Sequence, residues 1–298
     1  MSVRPATEVD LDALAAFLAH DEEVLLGRPA HIEAADLRAW FSRCDLAHDT
    51  WLYEEDGRIV AAGWAERLPG DAGLAAGIVG RNALGCGLGG ELVDRAEARL
   101  RQQGCARIQQ VALAADPDAP VLFAARGYRE VRRFWDMTIE LDGPPPASAL
   151  PAGLRVETFA EADARAFHAA LEEAFEDHWE HHARPFEDWW DEKRGAPDYE
   201  PTLWFVIRDG DELAAVVRND PNRSGGGWIG ALGVRRPWRG RGLGKALLLH
   251  SFGEFHRRGV ARIGLGVDAA NPTGATQLYE TVGMHVDLEQ VVYEKELA

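Results

Sequence analysis

Arg235-Arg236-Pro237-Trp238-Arg239-Gly240-Arg241-Gly242-Leu243-Gly244-Lys245 stands between an apolar, strand-like run, Trp228 to Val234, and the helix-like run Ala246-Leu247-Leu248-Leu249. It therefore reads as a strand-to-helix turn. The first turn of a helix has N–H groups without intrahelical partners and carries the positive end of the helix dipole, which makes it an anion site. Four arginines and a lysine crowd this one turn in a chain of net charge −17. The expected ligand is a compact polyanion, a diphosphate. A Walker phosphate loop needs a glycine where Arg239 stands and a Ser or Thr where Ala246 stands. A dinucleotide fingerprint needs unequal glycine spacing, whereas Gly240, Gly242 and Gly244 are evenly spaced, with no acidic residue at the usual distance beyond them.

The spacing that fits is Arg/Gln-x-x-Gly-x-Gly/Ala, met by Arg239, Gly242 and Gly244, and it resembles the pyrophosphate loop of the GCN5-related N-acetyltransferases (GNAT). The resemblance implies acetyl-coenzyme A as cosubstrate, held by Arg239, Gly240, Arg241, Gly242, Leu243, Gly244 and Lys245. A glycine-rich helix cap is the plainer alternative, but a cap needs one glycine and no cation cluster. After the apolar run Ile263 to Val267 comes Asn271-Pro272-Thr273-Gly274-Ala275-Thr276-Gln277-Leu278-Tyr279-Glu280-Thr281-Val282-Gly283-Met284. Asn271 is expected as N-cap, Pro272 as the first helical residue and Gly283 as the stop. This stretch resembles the family's last motif, Asn-x-x-Ala-x-x-Leu-Tyr-x-x-x-Gly-Phe, with Met284 in place of Phe. By that resemblance Asn271 touches the pantetheine arm, Tyr279 protonates the departing sulfur, and backbone groups of Leu232, Gly233 and Val234 hold the arm and the thioester oxygen where the strand leaves its neighbour. A core aromatic at helical spacing is the plain alternative for Tyr279.

The chain repeats itself. Val3 to Thr7 followed by Leu11, Leu14, Phe17 and Leu18 is matched by Leu154 to Thr158 followed by Ala164, Phe167, His168 and Leu171. Trp51 and Trp204 are 153 positions apart, as are Asp56-Gly57 and Asp209-Gly210, read as hairpin turns. The offset drifts to 155 at Val79 and Val234, stays there for Leu84 to Gly89 against Arg239 to Gly244, and reaches 156 at Gly127 and Gly283. The expected architecture is α+β: two tandem GNAT-like domains, each a central mixed, mostly antiparallel sheet flanked by helices. The proline-rich run Asp142 to Pro151 favours an extended spacer. The domains are accordingly set at 1–142 and 154–298, with a linker at 143–153.

The halves differ at the chemistry. Leu84 stands where the second half has Arg239, and Phe123, which has no proton to give, stands where it has Tyr279. The first half is expected to be degenerate and the second catalytic. The acceptor side falls in Leu171 to Pro201, where carboxylates alternate with aromatics in a pattern that suits a cationic amine. Glu173, Glu176 or His178 is placed to take the amine's proton; the plain alternative is a solvated acidic helix with core tryptophans. His178, His181 and His182 lack the spacing of an open metal site, so no metal is expected.

The 298 residues suffice for two cores. No run approaches a membrane span and the N-terminus lacks an apolar signal core, so a cytoplasmic enzyme is expected. Cys44, Cys86 and Cys105 are read as reduced thiols. The acidic balance argues against nucleic-acid binding. With an inert first half, an active second half and the stretch Asn271-Pro272-Thr273-Gly274-Ala275, the chain resembles the mycothiol synthases, which acetylate a cysteinyl amine. Where they carry a substrate-contacting carboxylate shortly before the cofactor strand, this chain has Gly226-Gly227-Trp228-Ile229. The resulting expectation is an acetyl-coenzyme A dependent N-acetyltransferase acting on a small primary amine. A non-catalytic acyl-coenzyme A sensing module or a protein N-acetyltransferase is the alternative, the latter opposed by the bulk of Trp179, Trp189 and Trp190.

Overall fold

In the computed structural model, which describes residues 1–196 and 198–297, the two sequence halves build the same succession of elements except for one extra short helix, α3, in the first. The first runs β1 (Ser2–Arg4), α1 (Leu11–Leu26), α2 (Ala34–Trp40), α3 (Leu46–Asp49), β2 (Thr50–Glu55), β3 (Arg58–Arg67), β4 (Ala72–Val79), α4 (Leu88–Gln102), β5 (Arg107–Leu113), α5 (Ala119–Ala125) and β6 (Arg129–Glu140). The second runs β7 (Arg155–Thr158), α6 (Ala164–Phe175), α7 (Phe186–Gly195), β8 (Phe205–Asp209), β9 (Glu212–Arg223), β10 (Gly226–Val234), α8 (Leu243–Arg257), β11 (Arg262–Asp268), α9 (Ala275–Thr281) and β12 (His285–Glu296).

In each half the first strands are antiparallel neighbours. The long helix then crosses over to make one parallel pair, β4 with β5 and β10 with β11. A parallel partner requires such a crossover, whereas antiparallel neighbours need only a turn. Both crossover helices end as the glycines at 104 and 259 predict. Gly104 (φ 77°) and Gly259 (φ 78°) are left-handed, and the N–H groups of Cys105 and Val260 reach back to the carbonyls of Leu100 and Phe255 at 3.0 and 2.9 Å.

The division of the chain differs from the boundary expected at 143–153. One compact unit is Met1–Phe134 with the segment from Glu289 on, and the other is Trp135–Leu288. The last part of β12 completes the first unit's sheet, pairing antiparallel with β5 from Gln290↔Leu113 to Glu296↔Arg107. The proline-rich run belongs to the second unit. Leu150 packs on its core, and Pro145 lies 3.8 Å from where a side chain on Gly253 of α8 would begin. Pro145 and Leu150 are half-buried against the second unit, while Pro144, Pro146 and Pro151 stay exposed.

A second correction concerns the hairpins. Asp56 and Gly57 are both left-handed (φ 50° and 75°) and form the two-residue turn between β2 and β3. In the second unit Asp209 pairs with Glu212, so the turn is Gly210-Asp211, with only the glycine at positive φ (60°). A leading glycine suits the type II′ turn, whereas Asp-Gly suits type I′, so the two hairpins align with an offset of one.

The offset is 154 between Trp64 and Arg218 and 155 between their partners Ala76 and Ala231, and this step has one cause. The ladder of β3 with β4 is regular throughout, whereas that of β9 with β10 is interrupted: Ile229 pairs with Asn219 and Ala231 with Arg218, leaving Gly230 unmatched. Gly230 is the inserted residue of a β-bulge that the first unit lacks.

Candidate active site

Gly240 and Gly242 are both left-handed (φ 75° and 79°), with open space where a side chain would start. Their role is conformational. Gly242 is the N-cap of α8 and offers no side chain, and the first intrahelical bond runs from Ala246 N–H to its carbonyl at 3.0 Å. The N–H groups of Leu243, Gly244 and Lys245 are thus left for a ligand. Gly244 serves packing instead: a Cβ there would lie 3.0 Å from Leu278 and 3.6 Å from Val234, so its absence lets α9 settle against the first turn of α8.

The cation cluster divides in two. Arg235 Nε donates to Glu173 of α6 at 2.8 Å, and the same carboxylate accepts the Arg236 backbone N–H at 2.8 Å. The Arg236 guanidinium pairs with Glu176 at 2.7 Å and Asp177 at 3.2 Å. These two arginines fasten α6 to the loop. Arg239, Arg241 and Lys245 are exposed on it, with Arg239 Nε donating to the Val234 carbonyl at 3.2 Å.

Beside the loop the sheet opens. The ladder between β10 and β11 holds only at Gly227↔Ile263 and Trp228↔Gly264, although β10 continues to Val234 and β11 to Asp268. Beyond Trp228 β10 has no ladder partner in β11; alternation along the strand turns the backbone groups of Leu232 and Val234 toward this gap and those of Gly233 toward β9, and the Val234 carbonyl accepts from Arg239. The corresponding pair in the first unit holds over four positions, Ala72↔Arg107 to Ala75↔Gln110.

Past the gap Asn271 behaves differently from the expectation. Its Oδ1 accepts from Thr273 N–H at 2.8 Å and Thr273 Oγ1 at 2.5 Å, closing a turn, while α9 begins only at Ala275 with Gly274 as a left-handed N-cap. A glycine at 274 permits a conformation that resets the chain before the helix, so Asn271 and Pro272 lie outside it. The stop at Gly283 (φ 94°) is as expected, with Met284 N–H bonded to the Tyr279 carbonyl at 3.1 Å. Tyr279 is buried at 9% exposure, and desolvation alone pushes its phenol up to about 12.

The acceptor-side candidates separate. Glu176 is exposed and ion-paired to Arg236 at 2.7 Å. His178 packs on Phe175 at 4.4 Å; burial lowers its pKa first of all, and it also feels the charges of Asp268 and Arg239. That places it at the loop end of the gap. His181 and His168 both face Glu172, at 3.1 and 3.5 Å. Among the described residues no three His, Cys, Asp or Glu side chains converge as a metal would need. Trp189 belongs to the core, 6% exposed and stacked on Phe167 and Trp190 at 6.3 and 5.9 Å, so it is no wall for a ligand.

Sequence reasoning missed two charged residues on β9. Arg218 and Asp220 lie on its face toward α7 and form a salt bridge. Asn219, on the other face, reaches Ser251 of α8 at 3.0 Å. The signal that could have located them was the drift in the repeat offset, which marks the bulge opposite.

The anion loop, the opened strand pair and the buried phenol all lie in a stretch of the chain that matches a known family. The model of the acetyltransferase (GNAT) family matches twice, over residues 14–128 and 164–284. The chain belongs to that family. It is 31% identical to a mycothiol acetyltransferase of Thermobispora bispora over 82% of each chain, and 29% identical to that of Thermobifida fusca over 83% of this chain and 82% of the other. Among solved structures it resembles a GCN5-related N-acetyltransferase from Sphaerobacter thermophilus, with TM-score 0.87, 33% identity and coverage of 99% and 95%. A tandem GNAT protein from the clavulanic acid pathway shares the fold at TM-score 0.74 and 17% identity, with coverage of 100% and 98%. The chain is therefore an N-acetyltransferase with two GNAT domains and acetyl-coenzyme A as the family's cosubstrate. No helix among the described residues is long and apolar enough to cross a membrane.

Proposed function

We propose that the second unit transfers acetyl from acetyl-coenzyme A to the primary amine of a small molecule by direct attack on the thioester. The observation that carries this reading is the loss of β10–β11 pairing beyond Trp228 directly before the Gly240–Gly242 turn. Arg239, Arg241, Lys245 and the N–H groups of Leu243, Gly244 and Lys245 hold the diphosphate. The Leu232-Gly233-Val234 segment, whose Leu232 and Val234 backbone faces the gap, holds the pantetheine arm with Asn271 across from it. A backbone N–H of β10 at the thioester carbonyl stabilises the oxyanion.

Tyr279 gives its proton to the departing sulfur. Its raised pKa suits a dry cleft, because the same desolvation raises the thiolate's own affinity for a proton. The phenolate then regains a proton from the new amide nitrogen.

The first unit keeps the loop geometry, with Gly85 and Gly87 left-handed at φ 76° and 84°, but not the chemistry. Phe123 is packed between Tyr128 and Tyr293 at 5.5 and 5.0 Å. At the ladder position of Arg218 it has Trp64, stacked on Trp40 at 6.3 Å and edge-on to Phe41 at 5.4 Å, which fills the face an acceptor needs.

The similarity to mycothiol acetyltransferases makes a cysteinyl amine the first acceptor to try. The test is calorimetric titration of acetyl-coenzyme A into wild type and Arg239→Ala, followed by thioester consumption with cysteinyl-glucosamine, glucosamine, tyramine and spermidine. One site weakened by Arg239→Ala, with turnover on an amine, supports the reading. Binding unaffected by Arg239→Ala would place the cofactor elsewhere, and binding without turnover on any amine would favour a sensing module.

A further inference from the structure

Deprotonation of the acceptor has no group assigned to it, since Glu176 is tied to Arg236 and His178 stands at the loop end of the gap. The other end of the same strand supplies one. From Val234 back to Gly230 is four residues, roughly 13 Å at about 3.3 Å per residue. An arm extended along β10 from the diphosphate therefore brings its thioester toward the bulge. At that bulge a Cβ on Gly230 would lie 2.6 Å from Asp220 Oδ2 and would also meet the Arg218 guanidinium. The carboxylate of β9 occupies the side-chain space that β10 leaves empty. Its other oxygen accepts from Arg218, which fixes its orientation. It is buried, at 7% exposure.

We propose that Asp220, oriented by Arg218 over the bulge at Gly230, is the group that takes the proton from the attacking amine. The inference rests on the acetyl-transfer reading above. The acceptor ammonium gives one proton to the Asp220 carboxylate, and its freed lone pair forms the C–N bond at the thioester carbon. The C–S bond breaks, and Tyr279 protonates the sulfur. The second amine proton restores Tyr279, and Asp220 releases its proton to solvent, the one proton the overall reaction liberates.

The charge environment supports this role. Burial raises the Asp220 pKa above the ordinary carboxylate value of 3.8. Arg218 and Arg223 on its own strand and Lys193 of α7 oppose that rise, and Asp198, beyond α7, adds to it. A carboxylate whose pKa is raised by burial is a stronger base, when ionised, than an exposed one. The first unit has Glu66 at the same ladder position, pairing with Leu74, also raised by burial, but on a regular strand without the bulge.

The experiment compares kcat/KM against pH for wild type, Asp220→Asn, Asp220→Glu and Gly230→Ala, using acetyl-coenzyme A and the best amine of the panel above. Calorimetric binding of acetyl-coenzyme A confirms that each variant is folded. Asp220→Asn is expected to lose about 10²-fold or more near neutrality. Its remaining activity should climb with pH in proportion to the amine's own free base, and Asp220→Glu should restore part of the loss. Gly230→Ala meets only side-chain atoms, those of Arg218 and Asp220, and with its folding checked by the same titration it is expected to show the same pH signature. A wild-type pH profile in Asp220→Asn or Gly230→Ala, at whatever rate, overturns the assignment. A wild type that turns over no amine sinks the acetyl-transfer reading instead.

Discussion

The carboxylate of Asp220 lies 2.6 Å from the point where a side chain on Gly230 would begin, so the two residues share one site: β9 provides the functional group and β10 the vacancy. Gly230 has no left-handed φ that would demand glycine. Its small size is what the structure uses, and the bulge it forms turns that vacancy toward the face on which Arg218 and Asp220 lie.

Tyr279→Phe is expected to lower kcat by about 10²- to 10⁴-fold. Acetyl-coenzyme A affinity should stay close to wild type, since the phenol acts on the leaving sulfur rather than on the diphosphate. Steady-state kinetics with calorimetry separates the two quantities. An unchanged kcat would return Tyr279 to the role of a core aromatic.

Restoring a cation to the first unit should not restore chemistry there. In a Tyr279→Phe background, Leu84→Arg is expected to add no turnover, because Phe123 has no proton to give and Trp64, Trp40 and Phe41 fill the acceptor face. Thioester consumption over extended incubation is the measurement; any gain from Leu84→Arg contradicts the degenerate reading.

Gly227→Ala tests packing rather than chemistry. A Cβ there would lie 2.5 Å from the ring of Phe255, which is fully buried on α8. Overpacking of this kind costs about 1–3 kcal/mol. Thermal unfolding should fall by several degrees, while Gly225→Ala is no control because Gly225 is itself left-handed (φ 74°). Asp211→Ala, in an exposed turn, is the better comparison.

Glu192 gives a pH test of stability. Burial acts to raise its pKa, but hydrogen bonds from Arg184 and Lys193 outweigh it and bring the value from 4.5 down to about 2. A lowered folded pKa contributes stability that is present above 4.5 and is lost as pH falls toward about 2. Glu192→Gln should therefore flatten the dependence of Tm on pH across that interval and leave its slope near neutrality unchanged. Parallel curves for the two proteins over the acid range would contradict it.

The sequence by itself determined the family, the duplication and the glycine turn that opens α8, because these depend on local chemistry. Left-handed turns need glycine, helix ends attract anions, and a phenylalanine has no proton to give, whatever surrounds them. It also predicted the helix stops at Gly104, Gly259 and Gly283 from backbone preference alone. Asn271 was misread as a cap because Gly274, three residues on, can reset the chain, and the sequence does not say which φ a glycine takes.

Tertiary structure decided what depends on partners far apart in the chain. The end of β12 completes the first unit's sheet, since a strand's alternating pattern specifies a buried face but not the edge it pairs with. Glu176 proved to be bound to Arg236, 60 residues away, and Asp220 proved to lie in the space at Gly230, on the adjacent strand. Whether a carboxylate is a solvated charge or a base is set by burial and by the charges around it, and those exist only once the strands are paired.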